Sequence, residues 1–198
     1  MHAPIQIDGA CVVADRGLIL ASGADAATFL QGQLTNDVLG LTTGQARLAG
    51  FCSAKGRLQA SFLVWRHGPD DFVLMCAADV LAATLKRLSM FVMRAKCRLS
   101  DASALHDVRG LAGPSADALV ADMAVWDRRD AQSGAVIRLP DAAGVRRALH
   151  VAPSGATAER VAYFLGRKER SALSSRTNAR QIDAARATLL AQMAALID

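Results

Sequence analysis

Apolar residues change their spacing several times along the chain, and each change marks an expected element. Residues 10–14 and 17–22 are apolar or β-branched runs around Asp15-Arg16-Gly17, which predicts a hairpin. From Ser22 the period lengthens: Ala26, Phe29, Leu30 and Leu34 form one helical stripe, which Ser22 or Asp25 can cap. Thr35-Asn36-Asp37 ends it, because these side chains bond their own backbone and favour turns. Two strand-like runs, 46–53 and 57–66, flank Ala54-Lys55-Gly56, where the glycine suits a tight hairpin. A third strand at 72–76 completes an antiparallel meander. Val80, Leu81, Thr84, Leu85, Leu88, Phe91 and Val92 then hold the 3.6-residue period of a long helix, with Asp79 at its positive end.

Strands are expected again at 95–99 and 105–111, then a short helix at 115–123 after Gly113-Pro114. Further strands at 136–139 and 147–151 flank a turn at 141–144. Two rounds of strands followed by a helix predict an α+β protein. The expected organisation is a first α+β unit over 1–105, a second over 106–170, and an atypical tail over 171–198. In that tail Ile182, Ala185, Leu189, Leu190, Met193, Leu196 and Ile197 fit a helix, preceded by a loose polar segment at 171–180.

Composition narrows the class. With 198 residues, 52% hydrophobic and 21% charged, the chain can bury a core, which argues against disorder and long coiled coils. No apolar run approaches a membrane span and residues 1–9 do not read as a secretory signal, so a cytoplasmic protein is expected. Lys86, Arg87, Arg94, Lys96 and Arg98 follow one another without an acid, which makes a solvated face or a surface for RNA or an acidic partner. Cys11, Cys52, Cys76 and Cys97 have no metal-ligand or disulfide spacing and read as reduced thiols, with Cys11, Cys76 and Cys97 in the core. Phosphate loops, nucleophile elbows and zinc-hydrolase motifs are absent, and His2, His67, His106 and His150 are scattered.

Polar clusters inside apolar surroundings hold what chemistry the sequence offers. Gln31 and Gln33 leave opposite sides of a helix, so at least one needs internal hydrogen bonds. Lys55 and Arg57 bracket a hairpin glycine, where a planar anionic or heteroaromatic ligand could approach the backbone. A capped helix end and a solvated hairpin are the plainer account of the same residues on physical grounds alone.

These clusters also carry a resemblance. Gly23-Ala24-Asp25, Phe29-Leu30-Gln31-Gly32-Gln33-Leu34-Thr35-Asn36-Asp37-Val38, Cys52-Ser53-Ala54-Lys55-Gly56-Arg57-Leu58 and Phe91-Val92-Met93-Arg94-Ala95-Lys96 resemble the YgfZ-type folate-binding proteins, relatives of the glycine-cleavage T-protein (aminomethyltransferase). The resemblance implies an aminomethyltransferase-like fold of antiparallel sheets with packed helices around a folate cavity. It also implies tetrahydrofolate, or another folate form, as ligand. The implied role is iron–sulfur cluster assembly or maintenance, with iron–sulfur proteins or their assembly machinery as partners, and through it tRNA modification. Asn36, Lys55, Arg57 and Trp65 are the implied cavity residues: Trp65 stacking on a ring, Lys55 and Arg57 pairing with the glutamate tail, Asn36 bonding the pterin. T-proteins carry paired aspartates where this chain has Ala60 and Ser61, which argues against aminomethyl transfer and for a non-enzymatic role. The family's Lys-Gly-Cys motif is absent and its C-terminal β-barrel is expected to be missing, as in a truncated or divergent member. The alternatives are a folate-dependent aminomethyltransferase and a basic RNA- or protein-binding module using the stretch from Lys86 to Arg98.

Overall fold

Most long strands of this protein are apolar on both faces, so a sheet made from them must be covered twice. The computed structural model describes residues 7–131 and 133–154. One sheet, ordered β3-β4-β5-β2-β6, is built from β2 (Arg16–Ser22), β3 (Ala46–Cys52), β4 (Leu58–Arg66), β5 (Asp71–Ala77) and β6 (Arg98–Asp101). The other, ordered β1-β7-β10-β9-β8, comprises β1 (Gly9–Val12), β7 (His106–Ala112), β8 (Arg128–Ala131), β9 (Gly134–Ala142) and β10 (Val145–Pro153). Their strand pairings are antiparallel.

Side-chain alternation sorts each strand between two cores. Phe62 and Val64 of β4, with Phe72 and Leu74 of β5, pack against α1 (Ala26–Gln33) and α2 (Ala78–Val92). Their neighbours Leu63, Trp65, Val73 and Met75 point the other way and meet Ile137, Leu149 and Val151 of the second sheet. That sheet's outer face, through Leu111, Val136 and Ala148, is covered by α3 (Pro114–Val120). The order of layers is therefore helices, sheet, sheet, helix, an α+β arrangement of stacked antiparallel sheets. Trp65 sits in the middle layer at 1% exposure.

The expected meander and long helix form as read, but four local expectations change. Residues 10–14 and 17–22 do not make a hairpin: β1 pairs with β7 and β2 with β5 and β6, so the two runs enter different sheets. The first helix begins at Ala26, because Ser22 is still paired with Asp71 in the sheet. The strand expected at 95–99 starts at Arg98, since Lys96 is occupied by Asp25: the Lys96 amide donates to Asp25 Oδ2 (2.7 Å) and its carbonyl accepts from the Asp25 amide (3.2 Å). A Cβ on Gly23 would lie 2.2 Å from that Lys96 carbonyl oxygen, so two of the sequence blocks quoted above meet there. The polar strand β8 was not anticipated. Cys76 is buried as expected, and burial pushes its thiol up to about 11. Cys11 and Cys97 are only half-buried. The boundary expected at 105/106 separates β6 from β7, but β1 crosses it. The tail expected over 171–198 and the question of a barrel lie outside the described residues. Among the described residues no helix is long and apolar enough to cross a membrane.

The connection from α1 to β3 is clasped to the sheet by polar groups. Gln31 Oε1 accepts the amides of Val38 (2.6 Å) and Leu39 (3.0 Å), the satisfaction its position requires. The Gly50 amide donates to Thr35 Oγ1 (2.8 Å) while the Thr35 amide donates to the Gly50 carbonyl (3.0 Å). Arg47 Nη1 reaches the Asp37 carboxylate at 3.0 Å. The Gly40 amide and that guanidinium hold the Asp37 carboxyl below the ordinary carboxylate range.

Two outcomes follow from the layering. Trp65→Ala should cost about 3–5 kcal/mol in urea denaturation, the loss typical of a large aromatic removed from a closed core. His150 is buried with its Nε2 3.1 Å from Ser133 Oγ, and burial, reinforced by Arg109, holds its pKa below the ordinary 6.5. The unfolded chain therefore takes up a proton that the folded one resists. Stability should fall as pH drops below about 6.5 until the folded-state pKa is passed, and His150→Gln should flatten that part of the profile.

Candidate functional site

Between the two sheets the inner layer is incomplete, and a hollow of about 500 Å³, mouth included, lies where large side chains give way to polar ones. Leu48, Ser61, Leu63 and Met75 line it from one sheet, and Leu139 and Leu149 from the other. Arg16 and Arg147 complete the wall, one from each sheet. Alternation explains their direction: Arg16 shares the inward face of β2 with Leu18, and Arg147 shares that of β10 with Leu149 and Val151.

Trp126 closes one side. Its residue has φ +73°, a left-handed conformation costly for a bulky side chain. The surrounding bonds impose it: the Trp126 amide donates to the Arg138 carbonyl (2.9 Å), and its own carbonyl accepts the Ala46 amide (2.8 Å). Next to it, the Arg128 amide donates to the Gly44 carbonyl (2.7 Å), and Arg128 Nη1 to that of Thr43 (2.8 Å). The loop thus ties the edge of β3 to β9 and holds the indole at the hollow.

The electrostatics are one-sided. Arg147 is 2% exposed and its Nε donates to the Pro140 carbonyl (2.9 Å), but its Nη1 is buried without a hydrogen-bond partner. Burial lowers its pKa, Asp141 opposes that shift and Arg138 adds to it; an arginine stays protonated regardless. Arg16 Nε is likewise buried without a partner, since the Asp15 carboxylate at 4.0 Å is beyond hydrogen-bonding range. Leaving such a donor unpaired costs roughly 1–3 kcal/mol. Among the described residues no carboxylate lines the hollow. No group of three or more His, Cys, Asp or Glu side chains suited to a metal exists among the described residues.

The structure does not bring together the four residues singled out from the sequence. Trp65 is inward-facing on β4, in the same row as Ser61 and Leu63, but it is part of the closed core and not of the hollow. Lys55 and Arg57 stand in solvent at the β3–β4 turn, on the order of 25 Å from Trp65 at the rise of an extended strand. Asn36 is used at both ends: its Nδ2 donates to the Leu48 carbonyl (2.8 Å) and its Oδ1 accepts the Asp37 amide (2.8 Å), so its side chain belongs to the clasp. Ser61, aligned from sequence with a family aspartate, does line the hollow. Arg16, Trp126 and Arg147 were missed. For the two arginines a signal existed, because each occupies an inward register position beside apolar ones; for Trp126, set by a loop between sheets, none did.

Comparison with known proteins agrees with this architecture. Residues 9–150 match the family model described as the GCVT N-terminal domain. Among curated proteins, the tRNA-modifying protein YgfZ of Vibrio vulnificus is 30% identical over 107 residues, covering 54% of this chain and 32% of that protein. The protein of the same name from Photorhabdus laumondii is 34% identical over 100 residues, covering 50% and 30%. The chain thus aligns with about a third of the length of these relatives. Among solved structures, the glycine cleavage system aminomethyltransferase T from Bartonella henselae superposes with TM-score 0.68 at 20% identity, over 81% of this chain and 46% of that one. With the family model spanning most of the sequence and the same stacked sheets recurring in that structure, the chain belongs to the GCVT N-terminal domain family, on the side of the YgfZ-type proteins.

Proposed function

We propose that the chain binds a folate, tetrahydrofolate or a close form of it, in the hollow between the sheets, and that it does so without aminomethyl transfer. The observation that supports this best is the hollow's make-up: an apolar slot with an indole held at its side and buried donors awaiting an acceptor. Such a mixture suits a flat heteroaromatic ring carrying a few polar atoms. Leu48, Leu63 and Leu139 would hold the ring's faces, Trp126 would stack or abut it, and Arg16 and Arg147 would meet its oxygens or its carboxylates. This replaces the set Asn36, Lys55, Arg57 and Trp65 inferred from the resemblance.

A folate supplies a carrier nitrogen for one-carbon units. Moving such a unit requires a nearby group able to hold charge or exchange a proton at that nitrogen. Ser61 supplies only a hydroxyl, and no lining carboxylate substitutes for it. Binding without turnover accords with an accessory role of the kind the YgfZ-type resemblance implies, namely support of iron–sulfur cluster upkeep in the cytoplasm and through it of tRNA modification.

One observation favours a second, separate surface. Among the described residues Lys86, Arg87, Arg94, Lys96 and Arg98 have no ion-pair partner, whereas Arg47, Arg128, Arg129, Arg138 and Arg146 are each matched with an aspartate. Arg87 lies 5.9 Å above the ring of half-exposed Phe91. An RNA face there would show tRNA binding that weakens steeply with salt and is lost in Arg94→Ala/Lys96→Ala.

Tryptophan fluorescence tests the folate reading. Tetrahydrofolate should quench the emission saturably in the micromolar range, Trp126→Phe should remove most of that response, and Trp65→Phe should keep it. A flat titration up to millimolar ligand, or a response carried by Trp65, would refute the assignment.

A further inference from the structure

The polar side chains of the hollow nearly all point to one kind of partner. Arg16 and Arg147 line it from opposite sheets, each with one buried guanidinium nitrogen that has no acceptor among the described residues. Asp141, the acid whose charge acts on Arg147, is paired with Arg138 and closes no direct hydrogen bond to Arg147. Asp15 approaches Arg16 only to 4.0 Å and is itself half-exposed. The wall also contains the Ser61 hydroxyl, which can donate or accept, the Trp126 indole, which can only donate, and the weakly polar Cys76 thiol. A ligand edge rich in N–H groups would face two cations, with the Ser61 hydroxyl as the main lining side chain able to receive its hydrogens. An anionic oxygen would meet two charge-assisted donors between largely apolar walls.

We propose that the inter-sheet hollow selects planar ligands that carry an anionic oxygen, a ring carboxylate or its equivalent, over neutral ligands of the same shape, with Arg16 and Arg147 as the selecting groups. The inference rests on the reading that this hollow holds the ligand's ring, but it adds which edge is recognised and by what. It also accounts for the two unpaired donors. Holding two guanidinium groups at an apolar hollow carries a desolvation cost that a bound anion offsets, so the groups that select are also groups that the fold would be no worse without.

Calorimetry with three probes separates the possibilities: pterin-6-carboxylate, its neutral counterpart 6-hydroxymethylpterin, and quinoline-2-carboxylate, a flat anion that is not a pterin. The expected result is a preference of about tenfold or more for pterin-6-carboxylate over 6-hydroxymethylpterin. That ratio should collapse towards one in Arg147→Gln and shrink in Arg16→Gln, while the melting temperature of Arg147→Met stays at or above that of the parent chain. Equal binding of the two pterins, or a ratio that survives both glutamine variants, would overturn the inference and leave the folate reading intact. Binding of quinoline-2-carboxylate alone, dependent on Arg147, would uphold anion selection and defeat the folate reading. Binding of none of the three would defeat both. Should Arg147→Gln fail to fold, the parent ratio and Arg16→Gln decide the matter.

Discussion

The layer of side chains shared by the two sheets is the constraint that shapes this protein. Leu18, Leu63, Trp65, Val73 and Met75 from one side interlock with Ile137, Leu149 and Val151 from the other, while the opposite faces of both sheets are covered by helices. Stacked sheets need this middle layer filled to the density of a crystal, and most of it is. Where the row of β4 passes from Trp65 and Leu63 to Ser61, and that of β10 from Leu149 to Arg147, filling stops and a hollow opens. The site is thus the end of the core, built from the same strands in the same register.

That origin explains what was legible in the sequence. Period and turn chemistry are local, so the β3–β4–β5 meander, the Lys55-Gly56 turn and helix α2 could be read residue by residue. What failed were statements about partners. The runs before and after Asp15 look like hairpin arms, yet β1 finds its partner near Gly110, nearly a hundred positions away. Strand β8 (Arg128–Ala131) carries little apolar signal because it is a short edge strand held by Arg128 and its pairing with β9. Trp65 and Trp126 show the same limit within the site. The alternation that puts Trp65 inward also seals it in the core, and only the crossing of the Trp126 loop between sheet edges brings the second indole to the hollow.

The sequence blocks that carry the family likeness have a structural task. Gly23 and Asp25 lock onto Lys96, and Gln31, Thr35, Asn36 and Asp37 pin the α1–β3 connection through backbone amides and carbonyls. They hold β3 and α1 in place and so present Leu48 to the hollow. Their chemistry is spent inside the fold, which is why polar residues that look like a ligand site in one dimension turn out to be a clasp in three. The groups left unspent are the two inward arginines, Ser61 and Trp126.

The most direct test is a nuclear Overhauser measurement on the folate complex with methyl-labelled leucine and methionine. Contacts from the ligand's ring to Leu63 and Met75 of one sheet, to Leu139 and Leu149 of the other, and to the Trp126 indole are what a ligand between the sheets predicts. Contacts confined to the Lys55–Arg57 turn and the Asn36 loop would place the ligand on the outside of the molecule and contradict the account.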